Sequence, residues 1–425
     1  MTPAIIAFVV VLLIGAPVAI VMAISGVAGV YSLGGERLVG IIADRMFSGV
    51  SGYMLIAVPY FIFTAELMNL GGLTQKLIAF NNALFGRIRG SLSHVNVTVS
   101  LFFAGLTGAA ITDTVAIGKI MIPEMKKQGY DAEYAAAITA CSSIIGPIIP
   151  PSVVMVVYAT LLRDTSVIDL FAGGILPGVM MTGALLVTSI VLAWMRGYPK
   201  QAGTPLRMAF MAFLTALPAM LVPLIILGGI LSGMTTITEA SGFAAVYAIF
   251  IGVVFYRNLT LKKIWKALVT TVKFSGVVFF LLATSAVLGW FVTRSGIARE
   301  AAEIITTLSD VPFIQIMLVC LLLIVLGTVM DVLPALVVIG PVVVPAMVSL
   351  GFDPLHFAIV MIVTLNIANV TPPVGMTLMT AARIAEVPYE KAIVASLPFY
   401  CAFIGVVMLL AAFPFFSTWI PSLLG

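Results

Sequence analysis

A chain of 425 residues that is 62% hydrophobic and 9% charged, with mean hydropathy +1.21, is not a water-soluble globule, in which about a quarter of the residues carry charge. The net charge of +4 comes from 21 basic and 17 acidic residues dispersed without a basic run, which argues against a nucleic-acid partner. Two histidines and three cysteines, the latter in apolar stretches, give neither a metal motif nor a disulfide framework.

The composition places the chain in a lipid bilayer, where a helical crossing needs about 20 apolar residues. The N-terminal run has no basic n-region and no small-residue cleavage site, so it reads as a retained span rather than a signal peptide. In chain order, apolar runs predict crossings near 3–31, 52–70, 131–160, 170–197, 207–230, 236–256, 273–293, 354–383 and 391–418. Two regions, 92–128 and 311–350, instead hold paired apolar stretches joined by the polar knots "GLTGAAITDT" and "GTVMDVLP". These predict re-entrant hairpins, because non-helical backbone at membrane depth survives only where protein or a wet cavity lines it. An amphipathic segment precedes each, at 73–90 and 297–308; it is either an arm helix along the interface or an ordinary connecting helix.

Charge supports this placement. With the N-terminus inside, sixteen of the 21 basic residues fall on the cytoplasmic side and five, Arg37, Arg45, Arg163, Arg294 and Arg299, fall outside.

An internal repeat underlies the pattern. An offset of 222 residues brings Ile117, Gly118, Pro123, Gly129 and Asp131 onto Ile339, Gly340, Pro345, Gly351 and Asp353, and Pro150 and Pro151 onto Pro372 and Pro373. The chain therefore divides into a first repeat, 1–204, and a second, 205–425. Five predicted crossings separate the hairpins, an odd number, so the second copy is expected upside down. The predicted fold is an all-α polytopic membrane protein with inverted repeats, two re-entrant hairpins and two discontinuous helices, the pattern of secondary transporters.

The interruptions are "CSSIIGPIIPPS" (141–152) and "NIANVTPPVG" (366–375). A lone proline kink is commonly structural; two at matched positions beside matched hairpins point to a site. Each proline deprives the carbonyl four residues earlier of its donor, so Ser143, Gly146, Pro147, Ala368 and Asn369 are expected to present bare peptide oxygens. With the hydroxyls of Thr107, Ser142, Ser143 and Thr371 and the amides of Asn366 and Asn369, these would form a shell of uncharged oxygen suited to sodium. The half-helices that resume after the breaks, around Pro150, Ser152, Asn369 and Pro373, turn positive N-terminal ends towards a carboxylate. Asp113 and Asp331, at the hairpin tips, are sodium ligands or helix caps. Arg163 and Arg383 end the broken helices and suit interfacial snorkelling. No nucleophile and base stand at catalytic spacing, and "LGGERLVG" lacks the context of a nucleotide loop, so neither an enzyme nor an ATP-driven pump is expected.

At "IGPIIPPS" (145–152), "TGAAITDTVAIG" (107–118), "TITEASGFAAVYA" (236–248), "MDVLPALVVIGPVVVPAMVSLGFDPLHFAIVM" (330–361) and "NIANVTPPVG" (366–375), the sequence resembles the large membrane subunit of tripartite ATP-independent periplasmic (TRAP) transporters. Ala109 and Ala110, and Ser241 and Gly242, depart from the family's usual residues. The resemblance implies a bacterial inner-membrane, sodium-coupled, elevator-type importer of a small organic acid such as sialic acid or a C4-dicarboxylate. It also implies two partners: a small four-helix membrane subunit and a soluble periplasmic substrate-binding protein. Sodium sites transferred by resemblance fall near Thr107 and Gly146, and near Gly327, Asp331 and Thr371. The alternatives are a stand-alone sodium/divalent-anion symporter and, further off, an ion channel.

Overall fold

A computed structural model describes residues 2–107, 110–200 and 205–424, the side chains of 2, 104–107 and 206 excepted. Among these residues every regular element is a helix, and eight helical stretches are long and apolar enough to cross a membrane.

The chain starts with α1 (Thr2–Leu13), α2 (Val18–Gly34), α3 (Val39–Val50), α4 (Ala57–Leu70) and α5 (Leu73–Phe85). The expected crossing at 3–31 is corrected here. Gly15 takes φ of +81° and Pro17 follows, so α1 folds back along α2 and the stretch is a hairpin. The start of α1 thus lies towards the Gly34 end of α2, not opposite it. The division of the basic residues into sixteen and five is unchanged, because residues 1–31 carry no Lys or Arg, but keeping the sixteen inside now puts the N-terminal end outside.

Then come α6 (Ser91–Thr107) and α7 (Ala110–Lys127), the two legs of the first hairpin, and α8 (Ala132–Ser143) and α9 (Val153–Leu162), the two halves of the first broken helix. The long helices α10 (Val167–Met195), α11 (Leu206–Leu231), α12 (Ile237–Phe250) and α13 (Leu261–Ser295) follow. α13 has 35 residues and starts well before the expected 273, capped by Thr260, whose hydroxyl accepts the Lys263 N–H, while the Lys263 ammonium donates to the carbonyls of Leu70 and Asn258. The order then recurs: amphipathic α14 (Ile297–Leu308), hairpin α15 (Pro312–Gly327) and α16 (Val332–Ser349), broken helix α17 (Pro354–Ala368) and α18 (Met376–Ala385), and long α19 (Tyr389–Ala412). A short α20 (Phe415–Ser422) ends the chain, splitting the expected span 391–418 at Pro414. The first amphipathic helix, α5, stops at Phe85, where Gly86 caps it, rather than at 90.

The two hairpins and two broken helices interlock. The leg α7 packs on α8 and on α18, while α16 packs on α17 and on α9; likewise α6 lies on α8 and α15 on α17. Each hairpin thus leans on its own broken helix and on the far half of the other. Around them, α2 and α3 both pack against α13 through glycines: a Cβ on Gly29 would sit 2.6 Å from the Phe291 ring, and one on Gly49 would sit 2.7 Å from the Ala286 methyl. Small residues let helices approach where lipid offers no hydrophobic drive.

Candidate functional site

The second interruption is sewn to the tip of the second hairpin. α17 ends at Ala368, the chain turns through 369–375, and α18 begins at Met376. Asp331 caps α16, its Oδ1 accepting the Val332 N–H at 2.8 Å. The same oxygen accepts from Asn369 Nδ2 at 2.9 Å, and the Gly375 N–H reaches Thr328 O at 3.3 Å. Gly327 presses so close that a Cβ there would lie 2.6 Å from the Ala368 Cβ. Two tyrosines of α19 hold the loop from behind: Tyr389 donates to Val374 O at 2.6 Å and Tyr400 to Val370 O at 2.7 Å.

Two acceptors remain at this junction. Asn366 spends its Nδ2 on Ile362 O at 2.8 Å, and Asn369 spends its own on Asp331; the Oδ1 of each is buried without a hydrogen-bond partner among the described residues. A buried acceptor left without a donor costs about 1–3 kcal/mol. A cation is one way to satisfy such an oxygen, and the Asp331 carboxylate bonded to Asn369 adds negative charge there. Thr371 Oγ1 donates to Ile367 O at 2.8 Å, which leaves its lone pairs for a ligand.

The expected row of bare carbonyls is corrected. Ser143 O accepts the Gly146 N–H at 3.2 Å, and Pro147 O accepts from the hydroxyl of Ser152, the cap of α9. Ala368 O accepts the Thr371 N–H at 3.0 Å, and Asn369 O accepts both the N–H and the hydroxyl of Thr377. Proline removes the helical donor, but turn amides and capping hydroxyls replace it, as buried backbone requires. Gly146 O is the one expected carbonyl for which the described residues supply no donor. Peptide oxygens keep a second lone pair, yet the open acceptors here are chiefly side-chain amides.

The first interruption is more closed. Residues 144–152 are buried apart from half-buried Ile149, whereas Thr371, Pro372 and Val374 are half-buried and Pro373 is exposed. Ser142 Oγ accepts from Ser100 Oγ at 2.9 Å and lies 3.2 Å from Asn96 Oδ1, and Asn96 Nδ2 donates to Thr139 Oγ1 at 2.7 Å. Ser143 Oγ donates to Thr139 O at 2.8 Å. The Ser142 hydroxyl thus belongs to a polar tie between α6 and α8, whereas that of Ser143 is spent within α8. Asp113 is buried in the first turn of α7, where a helix end favours an acid. The side chain of Thr107 lies outside the described residues. Pro150 and Ser152 sit buried in the first break, Asn369 and Pro373 in the more open second; the peptides Pro150–Pro151 and Pro372–Pro373 are both cis.

Sequence reasoning missed Thr328, Gly375, Thr377, Tyr389 and Tyr400, which position the second break, and Asn96, Ser100 and Thr139, which brace the first. The tyrosines had a signal: two phenol hydroxyls in an apolar helix need buried acceptors. Of the thiols, Cys141 and Cys320 are buried and Cys401 is exposed on α19.

Residues 5–416 match the family model described as the DctM component of the tripartite ATP-independent periplasmic transporter. The chain belongs to this family. It is 37% identical over 381 residues to the sialic acid TRAP transporter large permease protein SiaM of Vibrio cholerae, covering 90% of this chain and 89% of that protein. To the C4-dicarboxylate TRAP transporter large permease protein DctM of Pseudomonas aeruginosa it is 32% identical, over 90% of each. The 2,3-diketo-L-gulonate large permease YiaN of Escherichia coli is 31% identical, covering 91% of this chain and 90% of that one. Among solved structures, the Alcanivorax borkumensis YdaH transporter shares the fold at a TM-score of 0.62 and 15% identity, over 89% of both chains. This DctM-family chain is therefore a multi-pass inner-membrane transporter subunit and not an enzyme.

Proposed function

We propose that this DctM-family chain carries out sodium-coupled import of a small organic acid of the sialic acid or C4-dicarboxylate class by an elevator movement. The observation that carries the reading is the junction of hairpin tip and broken helix, where Asn369, bonded to Asp331, and Asn366 one turn earlier each leave a buried amide oxygen open. Sodium is the fitting occupant, because uncharged oxygens with at most one carboxylate suit a monovalent hard cation. The exposed Pro373 side of the break and the N-terminal end of α18 are where the carboxylate of the substrate would lie. Recurrence of the order long helix, arm, hairpin, broken helix, long helix supports inverted repeats in 1–204 and 205–425. Interlocked hairpins and broken helices would move as one body against α2, α3 and α13, with α5 and α14 as arms.

A periplasmic substrate-binding protein would deliver the acid, and a small four-helix membrane subunit would extend the scaffold. The word "large" in the relatives' names supports a smaller companion. So does the Haemophilus influenzae sialic acid permease SiaT, 64% of which this chain covers at 32% identity.

The test is uptake of labelled sialic acid and succinate into proteoliposomes holding the chain, its companion subunit and the soluble protein. Uptake is expected with an inward sodium gradient and not with potassium or choline. Sodium-independent uptake would refute the reading. Equal uptake without the soluble protein would favour a stand-alone sodium/divalent-anion symporter, and passive current without coupled uptake would favour a channel.

A further inference from the structure

A cavity of about 720 Å³ opens between α3, α9, α13 and α16, and Arg45, Arg163 and Arg294 line it together with Thr160, Ser285 and Trp290. These are three of the five basic residues that the charge count puts on the outer side. No Asp or Glu lines the cavity. None of the three guanidiniums is in an ion pair among the described residues, whose ion pairs are Arg196–Asp131 and Arg299–Glu303. Asp44 precedes Arg45 and Asp164 follows Arg163 in the chain; Asp164 faces an adjoining cavity of about 560 Å³ that shares Thr160 and Arg163. Burial holds that carboxyl above its ordinary range, and Tyr158 donates to its Oδ2 at 3.3 Å.

Three unneutralised guanidiniums around one concavity focus a positive potential, and the planar fork of Arg matches a carboxylate better than a lysine does. The volume suits a small molecule, for which sites run to about 300–1,000 Å³. The three come from different elements: Arg45 from α3 and Arg294 from α13, which pack on each other, and Arg163 from the C-cap of α9, the end of the first broken helix. Arg294 is also steadied over the Trp290 ring, 6.0 Å from its centroid.

We propose that this cavity is a second anion site, an outer waiting place for a small mono- or dicarboxylate, separate from the junction at Asn366 and Asn369 and complete only when Arg163 stands opposite Arg45 and Arg294. It deepens the import reading on which it rests, by naming where the acid pauses before reaching the central site. A reading that needs no transport tests it. In a background carrying Trp194→Phe, Trp265→Phe and Trp419→Phe, Trp290 is the sole indole, and its quenching by iodide is compared with quenching by neutral acrylamide in nanodiscs.

The iodide-to-acrylamide ratio is expected to fall about two- to threefold in low salt for each charge removed in Arg45→Gln and Arg163→Gln, from Coulomb attraction over several ångströms. Arg163→Lys keeps the ratio, which separates charge from misfolding. Millimolar succinate should protect Trp290 from iodide and leave acrylamide quenching unchanged. Equal ratios in wild type and both Gln variants, or no protection by succinate, would overturn the proposal. Loss of sodium-driven uptake with these ratios intact would remove the import reading and leave the anion site; the converse would leave import and remove the site.

Discussion

Gly327→Ala tests the junction with a single methyl group. The new Cβ would lie 2.6 Å from the Ala368 Cβ, where carbon atoms settle at about 3.5–4.0 Å, so roughly 1 Å must be found. Neither group can rotate away: both are methyls fixed to helix ends. The hairpin tip must therefore lift from the break, stretching the Asn369–Asp331 hydrogen bond from 2.9 Å and the Gly375–Thr328 bond from 3.3 Å. Overpacking of this kind costs about 1–3 kcal/mol. If that cost falls on the sodium-loaded state, the sodium activation midpoint rises about 5- to 150-fold. The assay is initial uptake against sodium concentration in proteoliposomes, with thermal unfolding in parallel. Adding Ala368→Gly removes the opposing methyl and should restore most of the midpoint, less up to about 1 kcal/mol for glycine near a helix end. An unchanged midpoint in Gly327→Ala, or no recovery in the double variant, would refute the close-contact reasoning.

Further outcomes are expected. Asn366→Leu replaces a buried unpartnered acceptor with a similar apolar volume, so thermal stability should not fall while sodium activation is lost; a stability drop with sodium activation retained would show that the amide is structural. Tyr400→Phe removes the donor to Val370 O and should weaken substrate or sodium affinity by up to about tenfold, from about 0.5–1.5 kcal/mol, as measured by the activation curve. Gly49→Val should destabilise the chain by about 1–3 kcal/mol through its 2.7 Å clash with Ala286, whereas Gly183→Val, with open space beside it, should not; thermal unfolding separates the two.

Much of the architecture is legible in the sequence because bilayer physics leaves few solutions. Two proline-broken helices, each preceded by a pair of apolar stretches joined by a polar knot, are what α6 to α9 and α15 to α18 became. The first span misled because composition alone cannot tell a crossing from a folded-back pair; only the Gly15–Pro17 step encodes the reversal, and it is short. At the site, Asp331, Asn366 and Asn369 were legible as polar groups at membrane depth, where each needs a purpose. The state of the backbone carbonyls was not. Which turn amide or capping hydroxyl replaces a missing helical donor depends on the path of the loop, and residues such as Thr377 and Ser152 take up that role only once the loop has closed.

The central claim, a sodium ion held between the second hairpin and the second broken helix, is tested most directly by titrating the purified chain in nanodiscs with sodium and following thermal unfolding. An occupant that binds only the folded state stabilises it by about 2.7 kcal/mol at a concentration a hundredfold above its dissociation constant. The account predicts a rise in melting temperature with sodium but not with potassium or choline, and a flat response in Asn366→Ala/Asn369→Ala. A wild-type chain indifferent to sodium, or a double variant that responds as the wild type does, would contradict it.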